Sequence, residues 1–205
     1  MNREKFIQIA SNVIDYYKNF YKINKDTRLY FKFNLLNINN LRQNPITQTN
    51  YFEKFEKETC VITNSAEKIY YYLQKTYPKL KVTFDLPQSD TIKKLQKIVK
   101  IEIIGRELDN LKNLNIKDYL TLEKTKEKKL VLKYLKKQLK LKETETFKFY
   151  SFNKEENEKE NAQFFGTAII SKKLYIYFEL NSTKNNDLNL INITKTKIID
   201  LDKEI

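Results

Sequence analysis

The sequence predicts an α+β fold, with a basic mixed α/β N-terminal part followed by a C-terminal antiparallel β meander. Through residues 1–145, apolar side chains recur alternately at helical and at strand spacing. From residue 146 onward, short aromatic and β-branched runs alternate with polar turns. The 27 aromatic residues (14 Tyr and 13 Phe) and the 40% apolar content supply enough side chains for a core. We therefore expect one part over residues 1–145 and another over residues 146–205, which can pack as one domain.

The N-terminal part is predicted to begin with a helix, two strands and a second helix. In residues 2–22 apolar side chains recur every three or four positions, which predicts an amphipathic helix capped by Asn2. Residues 28–35 alternate between apolar and polar side chains, and residues 60–62 are a short apolar run, so both predict strands. A helix is expected to follow over residues 66–77 and to end before a proline.

The middle of the sequence adds two strands, at residues 80–86 and 98–104, with a helix between them that ends near residue 97. Residues 98–104 also fit a helix, but their density of β-branched side chains favours a strand. Residues 37–50 are rich in Asn, Gln and Thr and predict a long surface loop. Arg42 in this loop is able to contact a phosphate or a base edge.

The C-terminal part is predicted to contain strands that pair in sequential antiparallel order. Ser171, Lys172 and Lys173 form its clearest hairpin turn. Residues 154–160 are strongly acidic and predict a loop. The aromatic and β-branched runs that predict the strands are residues 147–152, 163–170, 173–180 and 188–201.

Residues 124–142 predict the most highly charged helix of the chain. They contain nine lysines and one acidic residue, Glu127. At about 100° per residue, six lysines fall within an arc of roughly 100°, and apolar residues take most of the remaining surface. The helix is therefore expected to pack through Leu132, Leu135 and Leu139. The nucleic-acid-binding residues that we predict are Arg42 and these six lysines: Lys126, Lys129, Lys133, Lys136, Lys137 and Lys140.

The positive charge is unevenly distributed along the chain. The formal net charge is +13, and only four of the 39 basic residues are arginines. Residues 1–150 carry 31 basic and 17 acidic side chains, whereas residues 151–205 carry 8 and 9. An AT-rich coding sequence raises lysine content without selection, but such drift gives no reason for the asymmetry. The charge therefore indicates an anionic partner.

Composition argues against several kinds of catalytic and cofactor site. The chain has no histidine, which removes the usual general base near neutral pH and most zinc sites. The single cysteine, Cys60, cannot form an internal disulfide and has no histidine to activate it. Gly105 and Gly166 stand alone, so no glycine-rich phosphate loop is present. We expect no cofactor, no metal and no covalent catalysis.

These observations favour a non-catalytic nucleic-acid-binding protein that contacts phosphates with low sequence specificity. They leave open whether DNA or RNA is bound, and the oligomeric state. One alternative is a protein-binding module or inhibitor that docks on an acidic or nucleic-acid-binding partner. A less favoured one is a metal-dependent nuclease with Asp85 at the end of one strand and Glu102 within the next, although Ile104 occupies the position where such a motif has lysine.

No apolar run approaches the length of a membrane span. The N-terminal residues lack the features of a signal peptide, because polar residues interrupt each apolar run. We therefore expect a cytoplasmic protein that does not bind membranes.

Overall fold

The computed structural model describes residues 2–37, 55–77, 81–84, 97–107, 126–156, 162–183 and 187–203. The chain has an α+β fold, which confirms the predicted class. The described helices are α1 (Arg3–Phe20), α2 (Ala66–Thr76) and α3 (Lys126–Gln138). The described strands are β1 (Leu29–Asn37), β2 (Phe55–Thr63), β3 (Lys81–Phe84), β4 (Lys97–Arg106), β5 (Phe147–Glu156), β6 (Ala162–Ile170), β7 (Leu174–Ser182) and β8 (Leu188–Asp200).

The chain divides into two compact units. Unit 1 comprises Met1–Leu108 and Ile199–Ile205, and unit 2 comprises Asp109–Ile198. The last two residues of β8 thus belong to unit 1, and the lysine-rich helix α3 belongs to unit 2. The predicted division into residues 1–145 and 146–205 stays a prediction.

Unit 1 contains a mixed sheet with the strand order β3-β4-β1-β2. The central strand β1 pairs antiparallel with both β2 and β4, whereas β3 runs parallel to β4. The first two helices bury one side each against a common core. The fully or almost fully buried residues of that core include Phe6, Ala10, Ile14, Leu29, Phe31, Phe33, Val61, Ile69, Leu73 and Ile101.

A side-chain cap marks the start of both unit 1 helices, and the cap of α1 is the predicted Asn2. The Asn2 side chain accepts hydrogen bonds from the backbone N–H groups of Glu4 and Lys5. The Ser65 hydroxyl accepts one from the backbone N–H of Lys68. These side chains satisfy donors that have no partner within the helix, which fixes where each helix starts.

Unit 2 contains four strands in the order β8-β7-β6-β5, each antiparallel to its neighbours. The residues that α3 and these strands bury together are Val131, Leu135, Phe164, Ala168, Ile170, Ile176, Phe178, Leu180 and Leu188. Gly166 on β6 lies against the backbone of Ser151 on β5. A Cβ atom at this position would lie 2.2 Å from the carbonyl oxygen of Ser151, so glycine is required unless β5 moves.

Several element boundaries differ from those predicted. Residues 98–104 are a strand, as favoured, within the longer β4. The predicted acidic loop is wrong at its start, because β5 continues through residues 154–156 and pairs with β6 there. Residues 38–54 and 85–96, which contain most of the predicted polar loop and the helix before residue 97, lie outside the described residues. Among the helices that the structure describes, none is both long and apolar enough to cross a membrane.

Candidate nucleic-acid interface

Helix α3 is anchored to unit 2 through one apolar side. Val131 and Leu135 are completely buried, and Tyr134 and Leu139 pack against the same core. Leu135 therefore lies where the sequence predicts it. The prediction for Leu132 is wrong in part, because this side chain is only half-buried and the central position is taken by Val131.

Three further contacts fix the rotation of α3 about its axis. The Tyr134 hydroxyl accepts a hydrogen bond from the backbone N–H of Leu190 at 3.1 Å. Lys128 is 5% exposed, and its Nζ atom lies 5.1 Å from the centroid of the Phe152 ring, a cation–π distance. At the start of the helix, the Nζ atom of Lys154 donates to Glu127 at 2.8 Å. These contacts surround the buried side and leave the opposite side turned outward.

The six predicted lysines lie on that outward side. Five of them are exposed and Lys136 is half-buried. None of the six forms an ion pair with a residue that the structure describes. Lys154 on β5, by contrast, pairs with Glu127 and Glu156. We call these six residues, Lys126, Lys129, Lys133, Lys136, Lys137 and Lys140, the lysine stripe.

The helix is shorter than the sequence predicts. It ends at Gln138, and Lys140 adopts a positive φ of 53°. The backbone N–H of Leu141 donates to the carbonyl of Lys136 at 3.0 Å, and the N–H of Lys140 donates to that of Lys137 at 3.1 Å. This is a Schellman termination with lysine in the position usually held by glycine. Lys140 stays exposed, but it belongs to the turn that closes the helix.

The spacing of the stripe suits an extended polyanion. At 1.5 Å rise per residue, the ammonium-bearing positions from Lys126 to Lys137 extend over about 16 Å of helix. Glu127 is the one acidic residue of the helix, and Lys154 neutralises it. The described residues of unit 2 carry 14 lysines and seven acidic side chains, a net charge of +7.

The other candidate site residues do not converge on a second site in the described structure. Arg42 and Asp85 lie outside the described residues. Glu102 lies on β4 in register with Lys32 of β1. Cys60 is completely buried, and burial raises the pKa of its thiol, which disfavours the thiolate needed for nucleophilic chemistry. Within the described ranges, no group of three metal-ligating side chains comes together.

Sequence reasoning missed two features of this region. One is the burial of Lys128, which the helical wheel places with Val131 and Leu135 rather than with the stripe. The other is Leu130, which is 39% exposed between the lysines. The signal for Lys128 was present in the sequence, whereas Leu130 was assigned to the apolar side because of its residue type alone.

Comparison with known proteins does not identify a relative. No family model matches this chain, and neither the curated proteins nor the solved structures include a significant match.

Proposed function

We propose that this protein binds nucleic acid through the lysine stripe, mainly by contacts with phosphates. The observation that supports the proposal is the stripe itself: five lysines on the outward side of a helix whose opposite side is anchored in a core, and a sixth in the turn that closes it. Lysine ammonium groups that face phosphates release condensed counterions, and this release drives binding that does not depend on base sequence.

The arginines support low sequence specificity. Specific reading of guanine relies heavily on bidentate arginine, and the chain has four arginines. Three of them already interact with other residues of the chain. Arg3 pairs with Glu67, and Arg28 pairs with Glu107 and Asp200. The buried Arg106 donates to the carbonyl oxygen of Tyr21 at 3.4 Å. Lysine, by contrast, supplies a point charge without a fixed fork geometry.

The exposed side of α3 favours phosphate contact over base stacking. Its one aromatic residue, Tyr134, is half-buried and hydrogen-bonded to Leu190. Base stacking on proteins uses exposed aromatic rings beside cations, and α3 offers the cations alone. We therefore expect duplexes and single strands to bind through their backbones, with the duplex favoured for its higher charge density.

The proposal describes a non-catalytic binding protein that acts in the cytoplasm without a cofactor or metal. We also propose that residues 1–145 form a basic mixed α/β part and that residues 146–205 form an antiparallel meander. A magnesium-dependent cleavage of DNA or RNA that is lost on changing Glu102→Gln would favour the nuclease alternative instead.

A protein partner is the second candidate, and Leu130 favours it. An exposed leucine surrounded by lysines resembles the apolar centre and charged rim of a protein interface. In this alternative the stripe docks on an acidic protein surface. Capture of a partner from lysate treated with nuclease, without any salt-sensitive binding to nucleic acid, would favour it.

The test compares two variants that have the same net charge. The stripe variant changes Lys129, Lys133, Lys136 and Lys140 to Glu. The control variant makes the same substitution at four exposed lysines on other elements: Lys5, Lys75, Lys195 and Lys197. Each variant lowers the formal net charge from +13 to +5. We expect the stripe variant to lose binding to duplex DNA, single-stranded DNA and RNA, and the control to retain most of it. Equal losses would show that net charge, and not the stripe, determines binding.

A further inference from the structure

Helix α1 carries a second apolar surface that faces solvent. Ile9, Val13, Tyr16 and Phe20 follow one another at spacings of four, three and four residues, which aligns them along one side of a helix. We call these four residues the α1 seam. This spacing is typical of a helix that packs lengthwise against another helix.

The seam is distinct from the side of α1 that forms the core. Phe6, Ala10 and Ile14 are the buried residues of that side. In the seam, Tyr16 is 70% exposed, Phe20 is 66% exposed and Ile9 is 37% exposed, while Val13 is half-buried at the border with the core. Two large aromatic side chains this exposed on one helix indicate an interaction surface.

The aromatic rings at the end of the seam are held by one another. The Tyr16 and Phe20 rings are nearly parallel, with centroids 6.0 Å apart. Tyr21, which is 49% exposed, meets Phe20 edge-on at 5.0 Å. Because these rings already constrain each other's rotamers, a partner that covers them orders few additional side chains.

The charges beside the seam indicate what kind of partner it accepts. The exposed charged residues of α1 and its following turn, apart from Arg3, which pairs with Glu67, are three acids and three lysines: Glu4, Asp15, Asp26, Lys5, Lys22 and Lys25. The local net charge is therefore zero, although the whole chain carries +13. A polyanion finds no net attraction at this surface, and two copies of the chain meet there without net repulsion.

We propose that the α1 seam is a homodimer interface in which two copies of α1 pack antiparallel about a two-fold axis. In a two-fold interface, every contact occurs twice: if residue i of one copy contacts residue j of the other, then residue j of the first copy contacts residue i of the second. Centred between Ile14 and Asp15, the pairing sets Ile9 against Phe20 of the second copy and Val13 against Tyr16. An aliphatic side chain thus meets an aromatic one at each position, and the helix dipoles are antiparallel.

The size of the seam predicts a weak, concentration-dependent dimer. A fully buried aromatic side chain removes about 150–250 Å² from solvent. The exposed parts of Ile9, Tyr16 and Phe20, together with the neighbouring Tyr21, from each copy therefore fall short of the roughly 1,200–2,000 Å² total that stable interfaces bury. The protein should be monomeric when dilute and dimeric when concentrated. This inference depends on α1 alone and not on the proposed nucleic-acid binding.

Sedimentation velocity of the nucleic-acid-free protein over a range from about 1 µM to about 1 mM tests the interface. The seam variant carries Tyr16→Glu and Phe20→Glu. The control variant carries Gln8→Glu and Asn19→Glu, which add the same charge on an exposed side of α1 away from the seam. We expect the wild type and the control to dimerise as concentration rises, and the seam variant to stay monomeric with an unchanged thermal unfolding midpoint.

Three outcomes would overturn this proposal. A wild type that stays monomeric at all concentrations has no self-interface. A seam variant that dimerises like the control uses another surface. A monomeric wild type whose binding to single-stranded DNA weakens in the seam variant uses the rings as a stacking platform. In each case the stripe residues are unchanged, so the proposed function is tested separately.

Discussion

The paired charges of unit 1 contrast with the lysine stripe of unit 2. In unit 1, charged side chains from distant parts of the chain pair with one another. In unit 2, the six lysines of the stripe lie on the outward side of α3 and of the turn that follows it, and they form no ion pair with the residues that the structure describes. The difference indicates that the charges of unit 1 hold the fold together, whereas the lysine stripe is available to an external anion.

Arg28 is the centre of the paired charges in unit 1. Its Nε atom donates to Glu107 at 2.6 Å, and its Nη1 atom donates to both carboxylate oxygens of Asp200 at 2.7 and 2.8 Å. The hydrogen bond to Glu107 is the main reason why the pKa of the Arg28 guanidinium is raised. Arg28 also pairs with Asp202 at 3.7 Å. Asp202 in turn pairs with Lys68 and accepts a hydrogen bond from the Thr63 hydroxyl at 3.1 Å. The network fastens the end of β8 to the start of β1.

The largest effect is expected from the core side of α3. Leu135 is completely buried, so Leu135→Ala should lower the free energy of unfolding by about 2–5 kcal/mol through lost burial and a residual cavity. Lys133 lies on the outward side, so Lys133→Ala should change the free energy of unfolding by no more than about 0.5 kcal/mol. Urea denaturation of both variants measures the difference. Comparable losses would mean that α3 is rotated relative to this description.

Gly166 gives the next largest effect, again in unit 2. Gly166→Ala places a methyl group against the backbone of Ser151, and backbone cannot move aside as a flexible side chain does. We expect a loss of about 1–3 kcal/mol from the strain. Ala168→Gly on the same strand is the comparison, because it removes a buried methyl group without adding a clash. If Gly166→Ala unfolds at the same denaturant concentration as the wild type, β5 can shift to accept the added methyl group without cost to stability.

The last stability comparison separates ion pairing from packing. Arg28→Ala leaves Glu107 and Asp200 without their guanidinium partner, and all three side chains are partly buried. We expect a loss of about 1–3 kcal/mol, reduced from the fully buried case by solvent screening. At 1 M salt the Debye length falls to about 3 Å, so this loss should shrink, whereas that of Leu135→Ala should not. A salt-independent loss would assign Arg28 a packing role.

The sequence predicted the elements that depend on local periodicity. Helices α1, α2 and α3 follow from apolar spacing, and the Asn2 cap of α1 follows from capping chemistry. The helical wheel that places Leu135 in the core also places the lysine stripe on the outward side of α3. These features involve residues close in the chain, whose geometry is fixed once the helix forms.

Features that depend on tertiary contacts were not predictable. Arg28 and Asp200 lie 172 residues apart, and nothing in the sequence pairs them. The exposure of Tyr16 and Phe20 was hidden because aromatic residues at helical spacing are usually core residues. The end of α3 at Gln138 was missed because it is closed by Lys140, whereas the residue type that ordinarily signals such an ending is glycine.

The most direct test of the stripe is the salt dependence of duplex DNA binding. It is measured for the wild type, the stripe variant and its charge-matched control variant, in which Lys5, Lys75, Lys195 and Lys197 are changed to Glu. If about four stripe lysines neutralise phosphates, the logarithm of the wild-type association constant should fall against the logarithm of salt concentration with a slope near −3.6. The control variant should keep most of this slope, and the stripe variant should lose it together with its affinity. Stripe and control variants with the same slope and the same affinity would contradict the assignment of the stripe as the binding surface.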